Sequence, residues 1–383
     1  MNIRRIDIFS PLIIIFVILA FLALAVVGIE FRMRGLKPVL SLTYVYIFFG
    51  ILSFIIGFFI AKLIEKRISK NYDIKNNIRS FFDVISDNNH FTEKLMLIIV
   101  FLALLLQIVN LYFMNEIPLF SGLLKAKAFN SLTIISYIIF LPAINFLIAK
   151  FYRKRYFLIV FFGAILFAAT GYRATTLAIV ISILITTFYT NGRRFRYFLI
   201  LTPIILILGL IIGYIACLSI EWQQWDVNPL SLVFIRAGYT LTVLDYIVRM
   251  QNPNPGLLTY YIITGFFKSV DPRLVLGQIV FQKDMSITAT MFGPAVLELG
   301  FIGVGLQMFF LGIVLELLHF IQKIKDGLYT AFYSIGLSYT IVWVETSPAD
   351  LAVWIYYLLA IVLILNCYLA LKKGNKLLNN DKN

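Results

Sequence analysis

Basic residues sit in alternate gaps between long apolar runs, and that alternation commits the chain to threading back and forth across a bilayer. Ten runs are long enough to cross about 30 Å of hydrocarbon at about 1.5 Å per residue. They lie at 8–29, 39–61, 95–113, 132–149, 156–170, 174–190, 197–219, 291–318, 329–346 and 351–371. Placing the N-terminus in the cytoplasm puts 22 of the 33 lysines and arginines on that side, most densely in the short connections where the positive-inside bias acts. An even number of spans returns the C-terminus to the same face. The predicted fold class is an all-α polytopic membrane protein of about ten transmembrane helices, a single integral domain over 1–383 in the cell membrane with both termini cytoplasmic.

Composition points the same way. With 61% hydrophobic residues, 14% charged residues and a mean hydropathy of +0.92, the chain has too little polar surface to wet a soluble domain. A net charge of +14 would suggest nucleic acid in a soluble chain; here the cations line the cytoplasmic face beside anionic headgroups, so membrane lipids are the expected partner and nucleic acid is not. The first run has a basic leader and Ala23-Leu24-Ala25, a pattern that signal peptidase cuts, yet it continues apolar to Ile29 and reads as an uncleaved anchor. Cys217 and Cys367 fall near opposite faces, which excludes a disulfide between them. His90 and His319 fall in different cytoplasmic loops as solvated or interfacial residues, so no histidine-based metal centre is expected. Phosphate-cradling glycine loops, nucleophile elbows and metal-spaced cysteines are all absent from the sequence.

The segments left outside are unequal, and 220–290 is the large external loop. It is far longer than a structureless connection, so it is expected to carry helices of its own. Leu230–Met250 reads as a helix lying on or dipping into the outer face. A second apolar stretch, Leu257–Phe267, follows the turn Asn252-Pro253-Asn254-Pro255-Gly256; a hairpin of two further spans over 230–250 and 257–282 is the alternative.

External cations run against the topological bias and need a reason. Arg173, in Thr170-Gly171-Tyr172-Arg173, opens a helix at its positive end, where the dipole disfavours a cation by a few tenths of a kcal/mol up to about 1. Arg236 lies near Tyr239 and Thr240 on one face of its helix without a local counter-charge, whereas Asp245 and Arg249 form an i, i+4 pair. Arg273 follows Asp271-Pro272 and suits either a ligand or a structural pair. Trp222 and Trp225 suit sugar stacking or an aromatic belt. Among the carboxylates, Glu298 lies four residues past Pro294 and suits either the first turn of a helix or a membrane-level base. Glu116, before Ile117-Pro118, and Glu345, at the end of its run, are the other candidate bases. Asp350, with Ser347 and Pro348 before it, carries a helix-start signature and is left out of the site. Gly300, Gly303 and Gly305 are expected to allow close helix packing.

The stretch Glu116-Ile117-Pro118-Leu119-Phe120-Ser121-Gly122, the Gly171-Tyr172-Arg173 hairpin, the large loop containing Arg236 and Thr290–Gly303 (TMFGPAVLELGFIG) together resemble the oligosaccharide repeat-unit polymerases, the Wzy-like O-antigen polymerase family. The resemblance spans most of the chain in layout, through short motifs. It departs from the arginine-x10-glycine spacing of some members: eleven residues after Arg236, Arg249 and Arg273 stand Ile247, Tyr260 and Asp284. It implies a metal-independent glycosyltransferase without cofactor that joins polyprenyl-diphosphate-linked oligosaccharides on the outer face for surface polysaccharide. Other polysaccharide-assembly membrane proteins would be its neighbours. On that reading Arg173, Arg236, Glu298 and Glu116 are catalytic, and Arg273, Arg249, Tyr239 and Trp222 bind substrate. A lipid-linked oligosaccharide flippase and an O-antigen-ligase-like transferase are the alternatives.

Overall fold

The computed structural model describes residues 7–71, 89–121, 130–191, 228–251, 253–268 and 270–380, with isolated positions between 122 and 129 and between 207 and 218. These residues form helices and turns with no strand. The helices are α1 (Ile13–Glu30), α2 (Ser41–Asn71), α3 (Asn89–Phe113), α4 (Ser131–Phe151), α5 (Lys154–Ala168) and α6 (Arg173–Thr190). They continue as α7 (Pro229–Met250), α8 (Leu257–Lys268), α9 (Pro272–Phe281), α10 (Gly293–Ile324), α11 (Leu328–Thr346) and α12 (Leu351–Asn380).

In bilayer hydrocarbon a backbone must satisfy its own polar groups, which is why the apolar runs become helices. Among the described residues eight are long and apolar enough to cross: α1, α2, α3, α4, α6, α7, α10 and α12. The fold class is therefore as expected, and two more of the ten expected spans form helices outside those eight. The run at 156–170 yields α5, only 15 residues long. The run at 329–346 yields α11, which passes from one end of the bundle to the other and is buried along almost its whole length, so its serines, threonines and tyrosines meet protein and not lipid. The run at 197–219 and Cys217 lie mostly or wholly outside the described residues.

Close backbone contact holds the bundle where glycines permit it. A Cβ on Gly57 would stand 2.1 Å from the Phe309 carbonyl oxygen, and one on Gly312 would stand 2.4 Å from that of Phe54, so α2 and α10 touch backbone to backbone at two levels. Gly300 does something else. Its φ of 60° and ψ of −137° break α10, leaving Gly293–Leu299 as a short half-helix, a conformation only glycine adopts cheaply. The expectation of simple close packing at Gly300 is corrected by that break.

The two ends of the bundle are named here for a residue in each. At the Asp7 end, Tyr189 of α6 donates to Asp7 at 2.7 Å, and Lys62 of α2 lies 2.5 Å from Glu316 of α10. At the Arg173 end lie the starts of α2, α6 and α10 and the ends of α1 and α11. Helix α7 stays at this end. Its Arg236 meets Glu345, its Asp245 accepts from Leu40 N–H at 2.8 Å and from Thr43 Oγ1 at 2.7 Å, and its Ile247 packs by Gly293. Arg236 and Ile247 are separated by about 16 Å of helix, and both touch residues at this end.

Candidate functional site

The α5–α6 turn places the first functional side chain. Gly171 takes a φ of +78°, Thr170 Oγ1 donates back to the Phe167 carbonyl at 2.7 Å, and the chain re-enters the bundle at Arg173. Leu119 N–H donates to the Ala169 carbonyl at 2.9 Å, which sets the 116–120 segment beside this turn. The unfavourable dipole at the start of α6 is offset by a carboxylate from far along the chain: an Arg173 guanidinium N–H donates to Glu345 Oε1 at the end of α11.

Arg236 comes from α7 to the same oxygen. Its Nε donates to Glu345 Oε1 at 3.1 Å and its Nη2 to Thr288 Oγ1 at 3.2 Å. The counter-charge missing locally is thus supplied from 109 residues away in sequence. Two guanidinium groups from different helices share one carboxylate oxygen.

The pair borders a cavity. A cavity of about 260 Å³ is lined by Arg173, Arg236 and Glu345 at its polar part and by Phe21, Leu24, Leu177, Ile181, Leu210, Leu232, Val233 and Ala237 elsewhere. From Arg173 to Ile181 the wall descends about 12 Å along α6. Gly213 completes it, since an added Cβ would come within 3.3 Å of Arg173 Nη1. Cations at the rim and hydrocarbon below suit an amphiphile with an anionic head.

A second cluster adjoins the first. Arg273, in the first turn of α9, is 7% exposed and donates through Nε to Asp271 Oδ1 at 2.9 Å, while its guanidinium lies 4.8 Å over the Tyr172 ring. Its Nη2 stands 3.8 Å from Asp350 Oδ1. Burial alone would lower the Arg273 pKa; Asp271 and Asp350 more than reverse this and hold it charged. Tyr172 precedes Arg173, and Ile287 N–H, one residue before Thr288, donates to the Arg273 carbonyl at 3.3 Å, so the clusters share two strands of chain.

The remaining candidates separate. Tyr239 lies partly buried beside Arg236. Arg249 donates to Asp245 at 2.6 Å as the spacing predicts, and Asp245 in turn holds the start of α2, which makes this pair structural. Glu298 accepts from Gly256 N–H at 2.5 Å and Thr259 N–H at 2.7 Å, so both its oxygens cap the start of α8. Glu116 is exposed beside the α5–α6 turn. Trp222, Trp225, Lys125 and Lys127 lie outside the described residues.

Two expectations are overturned. The helix start expected at Pro348 comes three residues later: Asp350 stands just before α12, its carbonyl accepts from Val353 N–H at 3.2 Å, and its side chain turns to Arg273. His319 is no loop residue but 2% exposed inside α10, between Glu316 and Asp7. Glu345 was visible as a carboxylate at the end of a run, but nothing in its neighbourhood signals two arginines from other helices.

Residues 7–357 match the model of the family described as "Putative O-antigen polymerase". The chain is also similar to the uncharacterized protein MJ0420 of Methanocaldococcus jannaschii, at 26% identity over 99% of this chain and 97% of that protein. A second uncharacterized protein of the same organism, MJ0419, is 25% identical over 69% of this chain and 73% of its own length. No solved structure matches.

Proposed function

The chain belongs to the O-antigen polymerase family, and on that premise we propose that it joins polyprenyl-diphosphate-linked oligosaccharide repeat units at the outer face of the membrane. The observation that carries this reading is the pair Arg173 and Arg236 on one carboxylate oxygen at the mouth of an apolar cavity.

A glycan on a lipid diphosphate already has a good leaving group. What transfer needs is fixed positive charge where the bond between the anomeric carbon and the phosphate oxygen breaks and its electron pair moves onto the diphosphate. Guanidinium groups suit phosphate oxygens because their planar forks match that geometry. Glu345 keeps the two cations within reach of each other in the empty site, and the arriving diphosphate competes for the same N–H groups. Below them the cavity wall takes the first part of the isoprenoid tail. The membrane level of the clamp follows from the substrate, whose reacting carbon cannot leave the interface. The orientation rests on the cations: the Asp7 end carries Lys62, Lys66, Arg67, Lys94, Lys150 and Arg153–Arg155, so it faces the cytoplasm and the Arg173 end faces out.

The test is the purified protein in liposomes with polyprenyl-diphosphate repeat units and no nucleotide sugar, followed by sizing of the glycan. A ladder of multiples with release of lipid diphosphate is expected. A donor that a competent reference polymerase extends but this protein leaves unchanged would sink the reading.

A further inference from the structure

The arginine pair serves the leaving group, and transfer also needs a group to take the proton from the attacking hydroxyl. Glu298 accepts two backbone N–H groups at the start of α8, and Glu116 is exposed in its loop. The short connection between α11 and α12, Ser347-Pro348-Ala349-Asp350, presents another carboxylate. It follows Glu345 directly and reaches the Arg273 cluster, so it bridges the two halves of the site.

Three features of this turn stand apart from ordinary structural turns. Ser347 is 2% exposed with φ 69° and ψ 153°, a backbone region that costs a residue with a side chain about 1–3 kcal/mol and that clusters at functional sites. The Asp350 Oδ1 is buried and accepts no hydrogen bond from the described residues; Arg273 Nη2, at 3.8 Å, is too far to donate one. The Ser347 Oγ on the same turn is likewise buried without a partner among the described residues. Buried polar atoms are nearly always paired, and two such atoms on one strained turn mark a place kept for a ligand's polar group. The Asp350 side chain as a whole is a quarter exposed (25%), while its Oδ1 is turned inward.

We propose that Asp350 is the general base of the transfer, accepting the proton of the acceptor sugar hydroxyl while Arg273 holds the carboxylate in place. This rests on the polymerase reading above. As the hydroxyl oxygen bonds to the anomeric carbon, its O–H bond breaks and the proton passes to Asp350. The carbon–phosphate oxygen bond breaks with its electrons on the diphosphate beside Arg173 and Arg236, and the Asp350 proton leaves to water afterwards. The charged and titratable groups facing Asp350 are Arg273 and Asp271 of the α9 start, Tyr172 of the α5–α6 turn, Tyr137 of α4 and Tyr339 of α11. Burial pushes the Asp350 carboxyl above its ordinary range, Arg273 pulls it partly back, and Asp271 adds to the rise. A carboxylate raised in this way is a better proton acceptor near neutral pH than a solvated one.

The experiment is the liposome extension assay on wild type, D350N and D350E across pH, with retention of labelled polyprenyl-diphosphate repeat unit measured in parallel. D350N is expected to lose about 10²- to 10⁴-fold in rate, the usual scale of a general base, with donor retention unchanged. D350E is expected to recover part of the rate with its acid limb displaced; because Asp271 is untouched in that variant, a displaced limb belongs to Asp350. Equal extension by D350N and wild type at every pH, or loss of donor retention in step with rate, overturns the assignment while leaving the polymerase reading standing. If D350N does not fold, an unmoved acid limb in D350E overturns it. A wild type that never extends the donor overturns both together.

Discussion

The two ends of the bundle both bury ionisable side chains, and they arrange them in opposite ways. At the Asp7 end the charges interlock. Glu316, 1% exposed, stands 2.5 Å from Lys62 Nζ and 3.2 Å from His319 Nδ1. His319 Nε2 reaches Asp7 at 3.0 Å, its ring stacks on Tyr333 at 5.1 Å, and Asp7 also lies 3.6 Å from Lys323. Lys62 and Lys323 of this cluster each meet an anion, and the cluster is packed into α10, α11 and α6. At the Arg173 end two arginines share one carboxylate at the edge of a cavity, and Asp350 Oδ1 accepts nothing from the described residues. A cluster packed among helices fastens them together; one that lines a cavity leaves its charged groups within reach of a ligand. The N-terminal segment shows the fastening plainly, since Asp7 and the Phe9 carbonyl, which accepts from Tyr333, pin it to three helices.

The contrast breaks most visibly at Glu316. Glu316→Ala leaves His319 facing an unfilled space, while Lys62, 38% exposed, keeps Glu65 at 3.0 Å, so the loss of the buried partner costs about 1–3 kcal/mol. The expected outcome is a large fall in thermal stability in detergent and in folded yield, with extension per folded molecule as in wild type. A stable variant, or a folded one that no longer extends glycan, would erase the distinction between the ends. Arg173→Ala and Arg236→Ala should behave in the opposite sense. Removing one preorganised donor to developing charge costs about 10²- to 10³-fold in rate, about 2.7–4 kcal/mol. Stability should fall little, because the remaining arginine still neutralises Glu345. Thermal melting and extension rate measured on the same preparations decide the matter. If either arginine variant melts like Glu316→Ala while its surviving molecules extend normally, the pair is structural.

What the sequence made legible was whatever depends on one stretch of chain at a time. The alternation of basic gaps predicts the helices, the dipole argument singles out Arg173, and the i, i+4 spacing predicts the Arg249 and Asp245 pair, which forms at 2.6 Å. The joining of Arg236 to Glu345 depends on where α7 and α11 end relative to each other, across 109 residues, and no local pattern encodes it. Asp350 was set aside because Ser-Pro-x-Asp is a good helix start; the turn instead puts Ser347 at positive φ, and α12 begins later. His319 was placed in a loop because a polar residue near the end of an apolar run is usually solvated. Its burial needs Glu316 one turn earlier and Asp7 more than 300 residues away, and only the folded bundle brings the second.

Glu298 offers the finest test, because the sequence left two roles open for it. A capping carboxylate and a base make different demands on the same substitution. In Glu298→Gln the amide oxygen still accepts from one of the Gly256 and Thr259 N–H groups, but the charge and one acceptor are gone. The loss of one charge-assisted hydrogen bond at a partly exposed site is worth about 1–2 kcal/mol, felt at the start of α8. The expected result is a small drop in melting temperature, faster amide hydrogen exchange at Gly256 and Thr259, and an extension rate and pH profile matching wild type. A base would show the reverse pattern: unchanged exchange at those two amides beside a rate lowered by a hundredfold or more. The second pattern would return the proton to Glu298, move the reacting centre toward the cavity between α10 and α12, and remove the reason for assigning it to Asp350.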